Sequence, residues 1–398
     1  MRSSLLGMQA HKCLTELRAA VTGVLQALPG ELEQPRDVYK TLGIDRMIGW
    51  NIYKFHELND CFLSVKHIPR KAAFKGFLRA SAKKGVSESL LTEAENCFME
   101  FEKLVALHAG DRPSMEMMLQ AYSEEGCAQA SIDHRKLAFT GNRFLYGLES
   151  KTRLTITLFE PGSSPDSWKL VILKGSFGLR RNRPDIPWFY MKPKVFTESS
   201  AQPKSLSSTA LVSGVSGDLP YYPQFCNCSL PGLKSRSTFV DSIEEIFPEQ
   251  TGNAGLMDLV FAEVVEMNNF SLQNNASTSS KVITPCQTVA NDIILPTSAA
   301  EALIFTPRVI SSILEETDSF DENVIDIAQS ILPVTPDFSI SLTQNTYAPD
   351  DVPGYHDIIS DIFKRRDLNP LNYTTVRISI PFPVIPSTLD IAWTPSDK

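Results

Sequence analysis

The feature that most constrains this chain is a change of hydrophobic period near residue 150. Before it, apolar residues recur at helical intervals: Leu14, Leu17, Val21 and Leu25 in one segment, and Leu91, Ala94, Phe98, Phe101 and Val105 in another. After it, "TRLTITLFE" alternates and places Leu154, Ile156 and Leu158 on one face of a strand. A helix buries a stripe with a period of about 3.6 residues and a strand buries one face with a period of about 2, so neither pattern serves the other structure. The expected fold is α+β: an all-helical N-terminal domain with a helix-turn-helix-like unit, then a mixed α+β domain. Strands and helices do not alternate regularly, which argues against a doubly wound sheet.

The chain divides into a helical domain over 1–125, a connecting helix and first strands over 126–196, a Ser/Gly-rich loop or linker over 197–217, and the rest of the α+β domain over 218–398. In the first part, helices are expected at 11–28, at 35–55 as a bent pair, from Pro69 to about Lys84, and from a Ser87 cap to Gly110. Two more are expected at 113–124 and, interrupted by Gly141, at 128–148. Further on, the pattern predicts strands at 257–267, 281–294, 336–343 and around Val376, Ile378 and Ile380, and helices at 239–247, 321–331 and 353–366.

At 398 residues with 42% hydrophobic side chains, the chain is long enough for two or three domains with sizeable cores. Its net charge of −8 does not suit a surface uniformly coated by nucleic acid. The charge is uneven: residues 1–150 hold 19 Lys+Arg against 18 Asp+Glu, or +1, and the remainder 19 against 28, or −9. A near-neutral front and an acidic back fit a binding head with an effector or partner domain; ordinary surface variation explains them equally. Two stretches are locally basic: 66–84, with seven Lys/Arg and no acid, and 166–204, with eight basic residues against three acidic.

Seven scattered cysteines suit reduced thiols, and Cys226 and Cys228 have no second ligand pair nearby. No metal and no cofactor is expected. No stretch approaches the roughly 18 apolar residues that span a bilayer, so a cytoplasmic protein without a membrane partner is expected.

The segment "RDVYKTLGIDRMIGWNIYKF", residues 36–55, has the outline of a DNA-reading helix-turn-helix. Val38 and Leu42 face inward, Gly43 permits the bend, Ile44 plugs the turn, and Ile48, Ile52 and Phe55 share one face of the second helix. Arg46, Trp50, Tyr53 and Lys54 project from the other face and are the candidate DNA contacts. Two positions depart from the motif: Gly49 stands where a buried β-branched residue is usual, and Tyr39 where a small one is. A plain αα-corner has the same glycine and spacing. Next to it, Lys71, Lys75, Arg79 and Lys83 recur every fourth residue, and Lys71, Lys75 and Arg79 are candidate phosphate contacts. The same stripe suits a solvated face, or a partner for the acidic helix at 88–107.

In "FGLRRNRPDIPWFYMK", Arg180, Arg181, Arg183 and Trp188 are of the types that bind an anionic, stacking ligand. The alternative is an arginine-rich turn paired to Asp185 and leading into a buried aromatic strand. Catalytic motifs are missing: "HELND" at 56–60 has Asp60 where a metalloprotease has its second histidine, and "GVSGD" at 214–218 lacks the spacing of a nucleophile elbow. No catalytic residue is assigned, and an enzyme is not expected.

"LGIDRMIGWNIYKF", "HAGDR", "AFTGNRFLYGLESKTRL", "FGLRRNRPDIPW" and "YHDIISDIFKRRDLNP…IPFPVIPSTL" together resemble an uncharacterised group of bacterial proteins with a helix-turn-helix-like start. The resemblance implies an architecture, a cytoplasmic bacterial protein and a regulator-like layout, and no catalytic residues. The expectation is thus a DNA-binding transcriptional regulator whose C-terminal domain senses a ligand or forms a homodimer. The alternative is a protein-protein interaction or scaffold protein that does not touch DNA.

Overall fold

The computed structural model describes residues 5–30, 32–162, 167–186, 188–191, 194–195, 204–205, 208–212, 219–228, 233–237, 243–248, 250–268, 270–311 and 331–396. The chain forms two compact units, Met1–Asp133 and His134–Lys398. The first is helical and the second a mixed sheet with helices, an α+β architecture.

The first unit contains α1 (Leu5–Gln26), α2 (Pro35–Leu42), α3 (Arg46–Glu57), α4 (Cys61–Ser64), α5 (Lys71–Lys83), α6 (Glu88–His108) and α7 (Arg112–Gln120). Its core joins the α1 stripe of Leu14, Leu17, Val21 and Val24 to Phe98, Phe101 and Val105 of α6. Phe74 of α5 stacks on Phe98 at 4.2 Å between ring centroids. Arg112 clamps the far end, donating to the Ile68 and Pro69 carbonyls at 2.8 and 2.9 Å and to Glu102, with its guanidinium over the Phe98 and Phe101 rings. Ser87 occupies the α6 N-cap position, but its hydroxyl meets Ser89 rather than a helix N–H. Helix α8 (Glu124–Tyr146) crosses the limit between the units without a break at Gly141 and ends at Gly147, φ 67°.

Among its described residues the second unit has fifteen strands: β1 (Leu148–Pro161), β2 (Ser167–Arg181), β3 (Trp188–Met191), β4 (Lys194–Val195), β5 (Lys204–Ser205), β6 (Ser208–Ala210), β7 (Leu233–Ser237), β8 (Ile243–Pro248), β9 (Met257–Asn268), β10 (Ala276–Val282), β11 (Cys286–Pro296), β12 (Leu303–Ser311), β13 (Asp337–Leu342), β14 (Tyr373–Pro381) and β15 (Ser387–Pro395). Seven form a sheet in the order β13-β14-β11-β1-β2-β9-β6, in which β1 and β11 run parallel and the other pairs antiparallel. Leu154, Ile156 and Leu158 face a core shared with Ile358, Ile362 and Phe363 of the helix at Tyr355–Arg365. The opposite face, with Phe159, Leu170, Val289 and Ile293, shares a core with the three-stranded sheet β10-β15-β12. The alternating strand therefore has both faces covered, one apolar and one partly polar.

Two more expectations change. Residues 243–248 form β8, paired with β3 and β7, not the end of a helix at 239–247. Acidic residues and helical spacing in "DSIEEIF" yield there to cross-strand pairing. The single strand expected at 281–294 is two, divided at Pro285, which has no N–H to donate. Most of 197–217 lies outside the described residues, which include short strands at β5 and β6; the helix expected at 321–331 lies outside them up to residue 330.

Candidate functional site

The bend between α2 and α3 forms from local chemistry. Gly43 adopts φ 64° and ψ 35°, a left-handed conformation costly for residues with a Cβ, and its N–H closes on the Tyr39 carbonyl. Asp45 then caps α3, accepting from the N–H groups of Met47 and Ile48 at 2.8 and 3.3 Å. Gly49 is buried where the helices cross. A Cβ there would lie 2.5 Å from Tyr39 Cβ, 2.9 Å from its nitrogen and 3.0 Å from its Cα. The two departures from the motif are thus one feature: the small residue needed at the crossing is on the second helix instead of the first.

The outer face of α3 is open over its first half, and Tyr53 in its second half packs against the helical core. Arg46 is exposed, Met47 is 63% exposed and Trp50 39%. Trp50 meets the edge of His67 at 5.1 Å, not α6. Tyr53 is half-buried and donates to the Glu33 carbonyl, while Lys54 pairs with Glu57. His67 is buried, 3.3 Å from Asn51 Oδ1, and its pKa falls to about 4 through burial and then the positive charges of Lys66 and Lys54. On α5, Lys71 and Arg79 are exposed and Lys75 pairs with Glu95 at 3.4 Å. The acidic helix therefore neutralises one member of the basic stripe.

The arginine-rich segment is engaged in its own structure. Arg180 holds Glu149 and donates to Asn253 at 2.8 Å. Arg181 donates to the Pro184 and Ile186 carbonyls, and Arg183 pairs with Asp185 at 3.1 Å. Trp188 is 3% exposed and stacks on Phe261 at 5.8 Å. Cys226 Sγ accepts from the Val260 N–H at 3.1 Å, and burial pushes its pKa up to about 11. Among the described residues, no three His, Cys, Asp or Glu side chains gather as a metal site, and no helix is long and apolar enough to cross a membrane.

Sequence reading missed two buried polar groupings in the second unit. In one, Asp292 accepts from Arg377 Nε and Nη2, both at 2.6 Å, and from the Tyr355 hydroxyl at 2.7 Å. Every charge there has a partner, and the group fastens the Tyr355–Arg365 helix to the sheet. The other contains Arg153, Lys174, Glu263 and Asn291, in which Arg153 Nη1 and both amide atoms of Asn291 are left without a hydrogen-bond partner. Neither has a local motif, because strand pairing, and in the first case a helix packed on the sheet, assembles them.

No protein-family model matches the chain, and no curated protein matches it. Among solved structures, a crystal structure described as a "putative protease" from Parabacteroides distasonis is similar at 8% identity and a TM-score of 0.26. The likeness covers 62% of this chain and 40% of that one. At that score it supports no conclusion about fold or activity.

Proposed function

We propose that the N-terminal unit binds double-stranded DNA through α3, in a regulator whose C-terminal unit senses a ligand or mediates dimerisation. The observation that carries this reading is the exposed first half of the outer face of α3, with Arg46 and Trp50 at the surface. Arg46 suits a guanine edge or a phosphate, and the Trp50 ring suits sugar or base contact. Lys71 and Arg79 are free to meet phosphates; Lys54 and Lys75 would first exchange Glu57 and Glu95 for DNA. Fluorescence anisotropy of a labelled duplex across a salt series tests this. Each phosphate contact contributes roughly 0.9 to the slope of log affinity against log salt. The Arg46→Ala/Lys54→Ala double variant is expected to flatten the slope by about 2 and weaken binding at every salt concentration. Undiminished binding by that variant would sink the proposed contacts.

One observation favours a second reading. Met47 and Trp50, three residues apart and both exposed, make an apolar surface on the same helix, as a protein-docking helix does. If the chain ignores DNA at low salt but binds a protein partner that Met47→Ala/Trp50→Ala releases, α3 docks protein.

A further inference from the structure

We propose that the second unit binds a small oxyanion, the carboxylate or phosphate group of a small molecule, between its two sheets, with Arg153 as anchor and Asn291 as polar partner. The inference is independent of the DNA reading. Strand register brings the groups together. Thr155 of β1 stands opposite Lys174 of β2 and beside Asn291 of β11. One step along the same face, Arg153 stands opposite Ser176; one step the other way, Ile172 stands opposite Glu263 of β9. All point to the side on which the large sheet meets the small one. Thr155 Oγ1 lies 2.8 Å from Ser280 Oγ of β10, so the small sheet covers this place.

Hydrogen bonding there is incomplete. Asn291 is 1% exposed, and neither its Oδ1 nor its Nδ2 has a partner. Arg153 Nη1 is fully covered and also has none. Interior polar atoms are nearly always paired, and an amide with both ends open implies a group that supplies an acceptor and a donor. Charge points the same way. Arg153 and Lys174 are two cations; burial lowers the Lys174 ammonium to about 8, against the pull of Glu263, so it still carries its charge at neutral pH. The acidic neighbour of Arg153 is the Cys286 thiol, which burial pushes up to about 12 and keeps neutral. Among the described residues, one positive charge is left over, which a monoanion balances. A guanidinium fork matches the paired oxygens of a carboxylate or phosphate. Asn291 Nδ2 then donates to the anion, and its Oδ1 accepts from a hydroxyl or amide on the ligand body.

The test uses the full chain and two probes, inorganic phosphate and acetate, with chloride at matched ionic strength as the control. A saturable rise in melting temperature and a saturable calorimetric isotherm are expected with at least one probe. Which probe responds distinguishes phosphate from carboxylate. Arg153→Met should abolish the response, and Asn291→Leu should weaken the apparent affinity tenfold or more. No saturable response from the wild-type chain to either probe overturns the proposal, as does an unchanged response in Arg153→Met. If the variants do not fold, wild-type crystals in selenate decide: an anomalous peak within hydrogen-bond reach of Arg153 supports the site, and peaks only elsewhere overturn it.

Discussion

Two glycines inside helices separate packing from propensity at the level of single residues. Gly49 lies against the backbone of Tyr39, whereas nothing lies within 4 Å of a Cβ built on Gly76 of α5. Gly49→Ala is expected to destabilise the first unit by about 1–3 kcal/mol through overpacking. Gly76→Ala should stabilise it by about 0.5–1 kcal/mol, because alanine loses less backbone freedom on folding. Chemical denaturation followed by helical circular dichroism measures both. Tyr39→Ala should not rescue Gly49→Ala, since the close atoms are backbone and Cβ. His67 sets a pH dependence. Its folded pKa of about 4 lies below its ordinary 6.5, so between those values the unfolded chain binds more protons. Stability from this group is complete above pH 6.5 and is lost as pH falls toward 4, by on the order of 3 kcal/mol. Melting of the wild-type chain and of His67→Gln across pH 4–7 should show the slope flatten in the variant. Equal slopes would remove His67 as the cause.

Elements with a regular local pattern were legible in sequence, and those decided by distant partners were not. The amphipathic stripes of α1 and α6 and the alternation in β1 mark real buried faces. The bend at Gly43 was also readable, because a turn needing a positive φ calls for glycine. β8 escaped because its helix-like spacing is overruled by β3 and β7. In the candidate site, Arg46, Trp50 and the basic stripe could be named from spacing, and so could the stripe's pairing with the acidic helix as an alternative, but the Lys54–Glu57 pair was not read. Arg153 and Asn291 were invisible, since the parallel pairing of β1 with β11 is what makes them neighbours. β13 carries a prediction of its own. It is an edge strand, and Phe338, Ile340 and Leu342 alternate along it at 37%, 53% and 40% exposure. Among the described residues no strand pairs with its outer side, and an apolar edge whose one charge is Asp337 at its start is prone to adding strands. Ile340→Lys should reduce concentration-dependent association, read by light scattering, with little change in melting temperature.

For the molecule as a whole, the helical core and the sheet cores draw on separate stretches of chain. Every residue of the helical core lies at or before Tyr122, and the sheet cores begin at Leu148. A fragment of residues 1–123 is therefore expected to fold alone, with helical circular dichroism and one cooperative melt. A fragment without a cooperative transition would show that the helical core depends on the second unit. If α3 binds DNA, the same fragment should retain that binding while losing any response to phosphate or acetate.

The strand order also dictates a sequence of events during synthesis. β1 lies in the middle of the large sheet between β2, which follows it directly, and β11, which comes much later in the chain. From the time β1 leaves the ribosome until β11 arrives, one side of the sheet's central strand has no partner. Only β1, β2 and β9 of the central strands can pair before β11 is made, as an antiparallel half-sheet. Joining β11 and β14 then closes a long loop, a slow step with apolar strand edges exposed. The side-by-side placement of Arg153 and Asn291 depends on the pairing of β1 with β11 and so comes only with that closure.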